Sequence, residues 1–192
     1  MAIVIFERTF QSPVSGEQIL NIDRRNRWCL QAHGIGAKRH LLSRDGLRIC
    51  CVFDAPDAES VRTAAQKIDA PPADRVWSAT AHGPRADAQV LSSRSEGSER
   101  TLVLVERSFQ EPVRLDDVQS VEDRGAWCLS LNRVEFLVSW LALDRRRMIC
   151  LYEAPDAESV SRTNTRLNLP FDRIWSADLY VCDDATEMPP AV

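Results

Sequence analysis

A chain of 192 residues with 44% hydrophobic and 27% charged side chains has the balance of an ordinary soluble globular protein. Its net charge of −4, from 24 Lys and Arg against 28 Asp and Glu, sets up no broad positive field, which argues against nucleic acid or an anionic membrane as partner. The longest apolar run, "FLVSWLAL" at Phe136–Leu143, is strand-sized and far short of the roughly 20 residues of a membrane span.

The chain begins in a strand pattern at Ile3–Phe10, rich in β-branched and aromatic residues, with no basic segment or cleavage site ahead of it. Pro13 stops that strand. Ile19, Ile22 and Cys29 then recur at helical spacing, and His33 and Gly34 mark the end of that helix. A hairpin turning at Arg44–Gly46 leads into the strand "LRICCVFDAP", where Pro56 ends the strand and Asp57 caps a second helix. A strand at Val76–Ala81 completes the unit.

All of this happens twice. "APDAESV" at Ala55–Val61 returns at Ala154–Val160, "WCL" at Trp28–Leu30 returns at Trp127–Leu129, and "DRVWSA" at Asp74–Ala79 returns as "DRIWSA" at Asp172–Ala177. The second copy has its strand at Leu102–Phe109, Pro112 as stop, Asp116 as expected helix cap, a helix through Val118, Val121 and Cys128, and a last strand at Ile174–Val181. The offset is 99 residues until the last block, where it falls to 98. The sequence therefore divides into repeat 1 at 1–83, a polar Ser-rich linker at 84–100, repeat 2 at 101–183 and a tail at 184–192.

The order β-α-β-β-α-β predicts an α+β protein of two ferredoxin-like repeats. Apolar residues on both faces of the first strand, Ile3 and Ile5 on one and Val4 and Phe6 on the other, leave each sheet a face that needs a partner. The expected architecture is an intramolecular pseudo-dimer or dimeric α+β barrel, with a ligand cleft between the repeats and a further homodimer as an option. Six cysteines without a CxxC or a Cys/His zinc spacing read as reduced thiols, which points to the cytoplasm.

An "ER.F" first strand (Glu7, Arg8, Phe10 and Glu106, Arg107, Phe109), a "C.Y.APD.E"-type junction (Cys51, Phe53, Ala55–Asp57 and Cys150, Tyr152, Ala154–Asp156) and the "PADR" of Pro72–Arg75 together resemble the domain-of-unknown-function 4242 family. The resemblance covers nearly all of both repeats. It implies small ferredoxin-like proteins, some of them nickel-binding homodimers, and so a possible Ni²⁺ or other divalent metal held by His40, Glu7 and Cys51. Family members commonly carry a histidine in the helix after "APD", where this chain has Ala64 and Thr163, and another before the hairpin turn. There the first copy offers His40 and the second Ser139 and Trp140.

Charge inside an apolar strand must find a partner or a cavity, which makes Glu7, Arg8, Glu106 and Arg107 candidate ligand residues. The carboxylates serve either as ligands or proton acceptors, or in structural bridges to Arg75 and Arg173. The hairpin arms differ: Lys38, Arg39, His40 and Arg44 are basic in one, Phe136 and Trp140 apolar in the other, which suits an amphipathic molecule with an acidic end. Cys51 beside His40 is a candidate nucleophile and base, and Cys150 is its copy without the histidine. No P-loop, dinucleotide fingerprint, HExxH or GxSxG is present. These observations favour a ligand-binding or accessory protein for a small molecule or metal ion. The alternatives are a cofactor-independent acid/base enzyme, such as an isomerase or cyclase, using Glu7, Glu106 or His40, and a protein–protein adaptor.

Overall fold

The computed structural model describes residues 1–36, 38–68, 72–84, 86 and 100–182, without the side chains of Lys38, Glu122 and Cys182. The tail at 184–192 and nearly all of the linker at 84–100 lie outside the described residues. The chain is α+β, with eight antiparallel strands and five helices among the described residues. Its described residues form two compact units, one of Met1–Ser78 with Tyr180–Cys182, the other within Ala79–Leu179. This division passes through two strands and differs from the expected repeat boundaries 1–83 and 101–183.

In the first unit, β1 (Ala2–Thr9) pairs antiparallel with β3 (Arg48–Ala55), and β3 pairs with β2 (Lys38–Ser43). Side chains alternate along a strand, so one face carries Val4, Phe6, Leu42, Ile49, Cys51, Phe53 and Ala55, all in one core cluster. Three helices cover that face: α1 (Gly16–Arg25), α2 (Arg27–Ala32) and α3 (Ala58–Lys67), contributing Ile19, Cys29, Leu30, Val61 and Ala64. The strand that follows, β4 (Arg75–His82), begins in this unit.

Local chemistry explains each boundary. The Ser15 hydroxyl accepts from the Gln18 N–H while the Gln18 side chain accepts from the Ser15 N–H, a reciprocal capping box. Asp57 caps α3 through the Ser60 N–H at 2.7 Å, as the sequence predicts. The helix expected to run through Cys29 instead breaks at Asn26, whose side-chain amide donates to the Ile22 carbonyl at 2.8 Å and competes with the backbone ladder.

In the second unit the corresponding helix, α4 (Leu115–Leu131), is continuous, with Gly125 at the matching position. An added Cβ on Gly125 would lie 2.5 Å from the Leu167 side chain, so glycine there permits a close approach. Its N-cap is Arg114, without a side-chain cap bond, and Asp116 sits exposed in the first turn. The expected Asp116 cap is thus corrected by two residues, because the acidic side chain supports the helix dipole from inside the turn. The sheet of this unit runs β4–β6–β7–β5–β8, with β5 (Thr101–Ser108), β6 (Glu135–Ala142), β7 (Arg147–Ala154) and β8 (Arg173–Cys182), the last ending in the first unit. Helix α5 (Ala157–Arg166) is capped by Asp156 through the Ser159 N–H at 2.7 Å, just as α3 is by Asp57.

Candidate functional site

Strand alternation sorts the eight candidate residues before any contact is measured. In the first unit Arg8, His40 and Cys51 fall on the helix-covered face, and Glu7 falls on the other. His40 of β2 stands directly opposite Cys51 of β3. The His40 Nδ1 is 3.0 Å from the Cys51 sulfur, and its Nε2 is 2.7 Å from Asp23 Oδ2 on α1. The three side chains are deeply buried, His40 2%, Cys51 4% and Asp23 7% exposed. Burial alone would strip the charge from this imidazole. The Cys51 sulfur and the Asp23 carboxylate outweigh it, and the His40 pKa is raised to about 10.

This relay borders a cavity of about 60 Å³ between the sheet and the helices, lined among others by Phe6, Arg8, Asp23, His40, Cys51 and Ala64. Arg8 lies against its wall, 6% exposed, with its Cζ 4.8 Å from the Phe6 ring centre. Its Nε donates to the Pro72 carbonyl at 3.1 Å, and its Nη2 is buried with no hydrogen-bond partner among the described residues. Burial pushes the guanidinium below its ordinary value. An unpaired cationic N–H in an apolar wall is a costly arrangement that an anion would relieve.

The second unit gives the matching Nη2 protein acceptors. Arg107, the match of Arg8, donates from Nη2 to Asn164 Oδ1 at 2.6 Å and to the Tyr152 hydroxyl at 3.4 Å, and from Nη1 to the Pro170 carbonyl, while its buried Nε has no hydrogen-bond partner among the described residues. Against burial, Cys150 and Tyr152 hold the Arg107 guanidinium above its ordinary value. Asn164, Thr163 and Tyr152 stand where the first copy has Ala65, Ala64 and Phe53. All three are buried, with Thr163 donating to the Ser159 carbonyl at 2.8 Å and Asn164 to the Val160 carbonyl at 2.8 Å. Cys150 faces Ser139 instead of a histidine. The first copy lacks the polar groups that occupy this place in the second, and shares the arginine.

Glu7 and Glu106 have a different duty. The Trp77 indole N–H donates to Glu7 at 2.6 Å and the Trp175 indole to Glu106 at 2.8 Å. Arg75 and Arg173 stand 3.9 and 3.4 Å from the same carboxylates. The arginines follow from the sequence pattern; the indoles were not foreseen, although both recur in the "DR.WSA" block two residues after the arginine. Glu106→Ala is expected to cost about 2–3 kcal/mol by stranding the buried Trp175 N–H, and Glu106→Gln less, measured by urea unfolding followed through tryptophan fluorescence. Trp140, buried opposite Ile149, lies on the other face from Cys150. Arg39 is buried and His33 and His82 stand apart from the relay.

The metal set His40, Glu7 and Cys51 is therefore not brought together, since Glu7 faces away. Among the described residues no group of three or more His, Cys, Asp or Glu side chains could hold a metal ion. Both His40 nitrogens are also engaged, one by sulfur and one by carboxylate. A metal-bound imidazole must free one nitrogen, so these residues do not fit a nickel site.

The family described as nickel responsive protein SCO4226-like matches this chain over residues 5–78 and 104–176, well over half its length and both repeats. The match to both segments bears out a tandem duplication in a nickel-type family and leaves the 4242 name unconfirmed. The chain matches none of the curated proteins. Among solved structures it is similar to two mutant forms of chlorite dismutase from Candidatus Nitrospira defluvii. One is 10% identical, with 93% of this chain and 92% of that chain covered and a TM-score of 0.50. The other, in complex with cyanide, is 11% identical, with 92% and 90% covered and a TM-score of 0.52. At such identity the likeness speaks for the α+β barrel fold class alone. Among the described residues no helix is long and apolar enough to cross a membrane.

Proposed function

The chain belongs to the nickel-responsive SCO4226-like family, and from that premise we propose that it is a small-molecule-binding protein whose ligand is a small amphipathic acid. The carboxylate sits on Arg8 and the apolar end lies among Phe6, Ile19, Phe53 and Ala64. One observation carries this reading: Arg8 keeps a buried, unpartnered Nη2 beside a cavity, while its copy Arg107 has Asn164 and Tyr152 in hand. A cavity of this size has room for about four water-sized spheres, hence a ligand of roughly four to six heavy atoms. The ferredoxin-like character of each repeat, with order β8–β5–β7–β6 in the second, is part of the same reading. The sequence placed the ligand between the repeats; the residues named here all belong to the first unit.

Saturated monocarboxylates of two to four carbons, titrated by NMR into the isotope-labelled full chain, test this. Shifts confined to residues around Arg8, His40 and Ala64 are expected, with affinity at least about tenfold weaker in Arg8→Met. Equal binding by Arg8→Met, or no response at tens of millimolar acid, overturns the proposal. A micromolar Ni²⁺ site in calorimetry would restore the metal reading instead.

A further inference from the structure

We propose that Cys51 is a nucleophile that adds covalently to small conjugated acids, and this rests on the acid-binding reading above. Three elements converge to make it: β3 supplies the sulfur, β2 the imidazole and α1 the carboxylate. Asp23 is a positioning residue. It holds the His40 ring by Nε2, so that the second N–H of the protonated ring points at the Cys51 sulfur. The reacting form of a cysteine nucleophile is the thiolate, and the His40 N–H 3.0 Å from the sulfur is placed to pair with it.

Burial would make such a thiolate inert if nothing could reach it, but Cys51 and Arg8 line one cavity. A carboxylate drawn to Arg8 Nη2 brings the rest of its carbon chain toward the sulfur. For a conjugated acid the chemistry closes without any further reagent. The sulfur lone pair forms the S–C bond at the β-carbon, and the π pair of the double bond moves to the α-carbon. The His40 Nδ1 proton is delivered to the α-carbon, leaving a thioether and a neutral imidazole still held by Asp23. A saturated acid has no double bond and only binds. Cys150 serves as the internal control, since it meets Ser139 where Cys51 meets His40.

Competition labelling of the native full chain at neutral pH, read site by site by mass spectrometry, tests the inference. With neutral iodoacetamide, Cys51 is expected to react roughly tenfold or more faster than Cys150. With anionic iodoacetate the advantage of Cys51 is expected to widen and to collapse in Arg8→Met. Acrylate is expected to give a mass gain of one acrylic acid at Cys51, blocked by excess butyrate. Cys51 labelling no faster than Cys150, or an absent acrylate adduct, overturns the nucleophile and leaves butyrate binding untouched. Rapid iodoacetamide labelling without any iodoacetate advantage overturns the acid anchor instead. His40→Gln is expected to slow Cys51; the comparison of Cys51 with Cys150 in the unaltered chain holds even if that variant fails to fold.

Discussion

Stability against urea is expected to fall as pH rises from about 6.5 towards about 10, and a His40→Gln chain is expected to lose that slope. The unfolded imidazole has the ordinary value of 6.5, and the folded one is raised to about 10. A raised pKa means that the folded state holds the proton more tightly. Its stabilisation is complete below 6.5 and is lost as pH climbs through the folded value. A shift of this size is worth on the order of a few kcal/mol. The charged and titratable groups around the ring are Asp23 from α1, Cys51 from β3 and Arg8 from β1. At pH 6 the His40→Gln chain is expected to be about 3 kcal/mol less stable, because Asp23 stays buried without its cation. A wild-type profile flat across this range contradicts the imidazolium.

Substituting the first copy with residues of the second gives the other large effect. In Ala65→Asn the new amide has both partners in place by homology: Val61 offers the carbonyl that Val160 gives Asn164, and Arg8 Nη2 offers the donor that Arg107 gives it. Gain of a charged hydrogen bond inside the fold is expected to stabilise the chain by about 1–2 kcal/mol. The same amide removes the reason for an anion to bind, so affinity for butyrate is expected to drop at least about tenfold. Adding Ala64→Thr, whose hydroxyl has the Ser60 carbonyl to bond as Thr163 has Ser159, fills what is left. Denaturation curves and carboxylate titrations on the same samples check both arms. A destabilised double variant that binds butyrate as before would show that the two copies do not share this architecture.

Much of this was legible in the residues. Strand and helix patterning, the Asp57 and Asp156 caps and the pairing of Glu7 and Glu106 with Arg75 and Arg173 follow from local chemistry written twice. Strand parity separates Glu7 from His40 and Cys51, but the parity of three strands joins into one face only when their register is known. Asp23 escaped notice although it falls four residues after Ile19, on the buried stripe of its helix, where a carboxylate requires a partner. The cavity was visible only as a difference: Ala64 and Ala65 look unremarkable alone, and informative beside Thr163 and Asn164. Asn26 and Gly125, at matching positions, decide whether the first helix breaks, and side-chain competition with the ladder is not readable from propensity.

A crystal structure of the chain grown with butyrate examines the acid anchor without any inference from rates. The account predicts a carboxylate oxygen within about 3 Å of Arg8 Nη2, with the alkyl end turned towards the Cys51 sulfur and the pocket around Arg107 unchanged. Electron density for butyrate elsewhere, or an Arg8 guanidinium that finds a protein acceptor and leaves the acid in solvent, would contradict it.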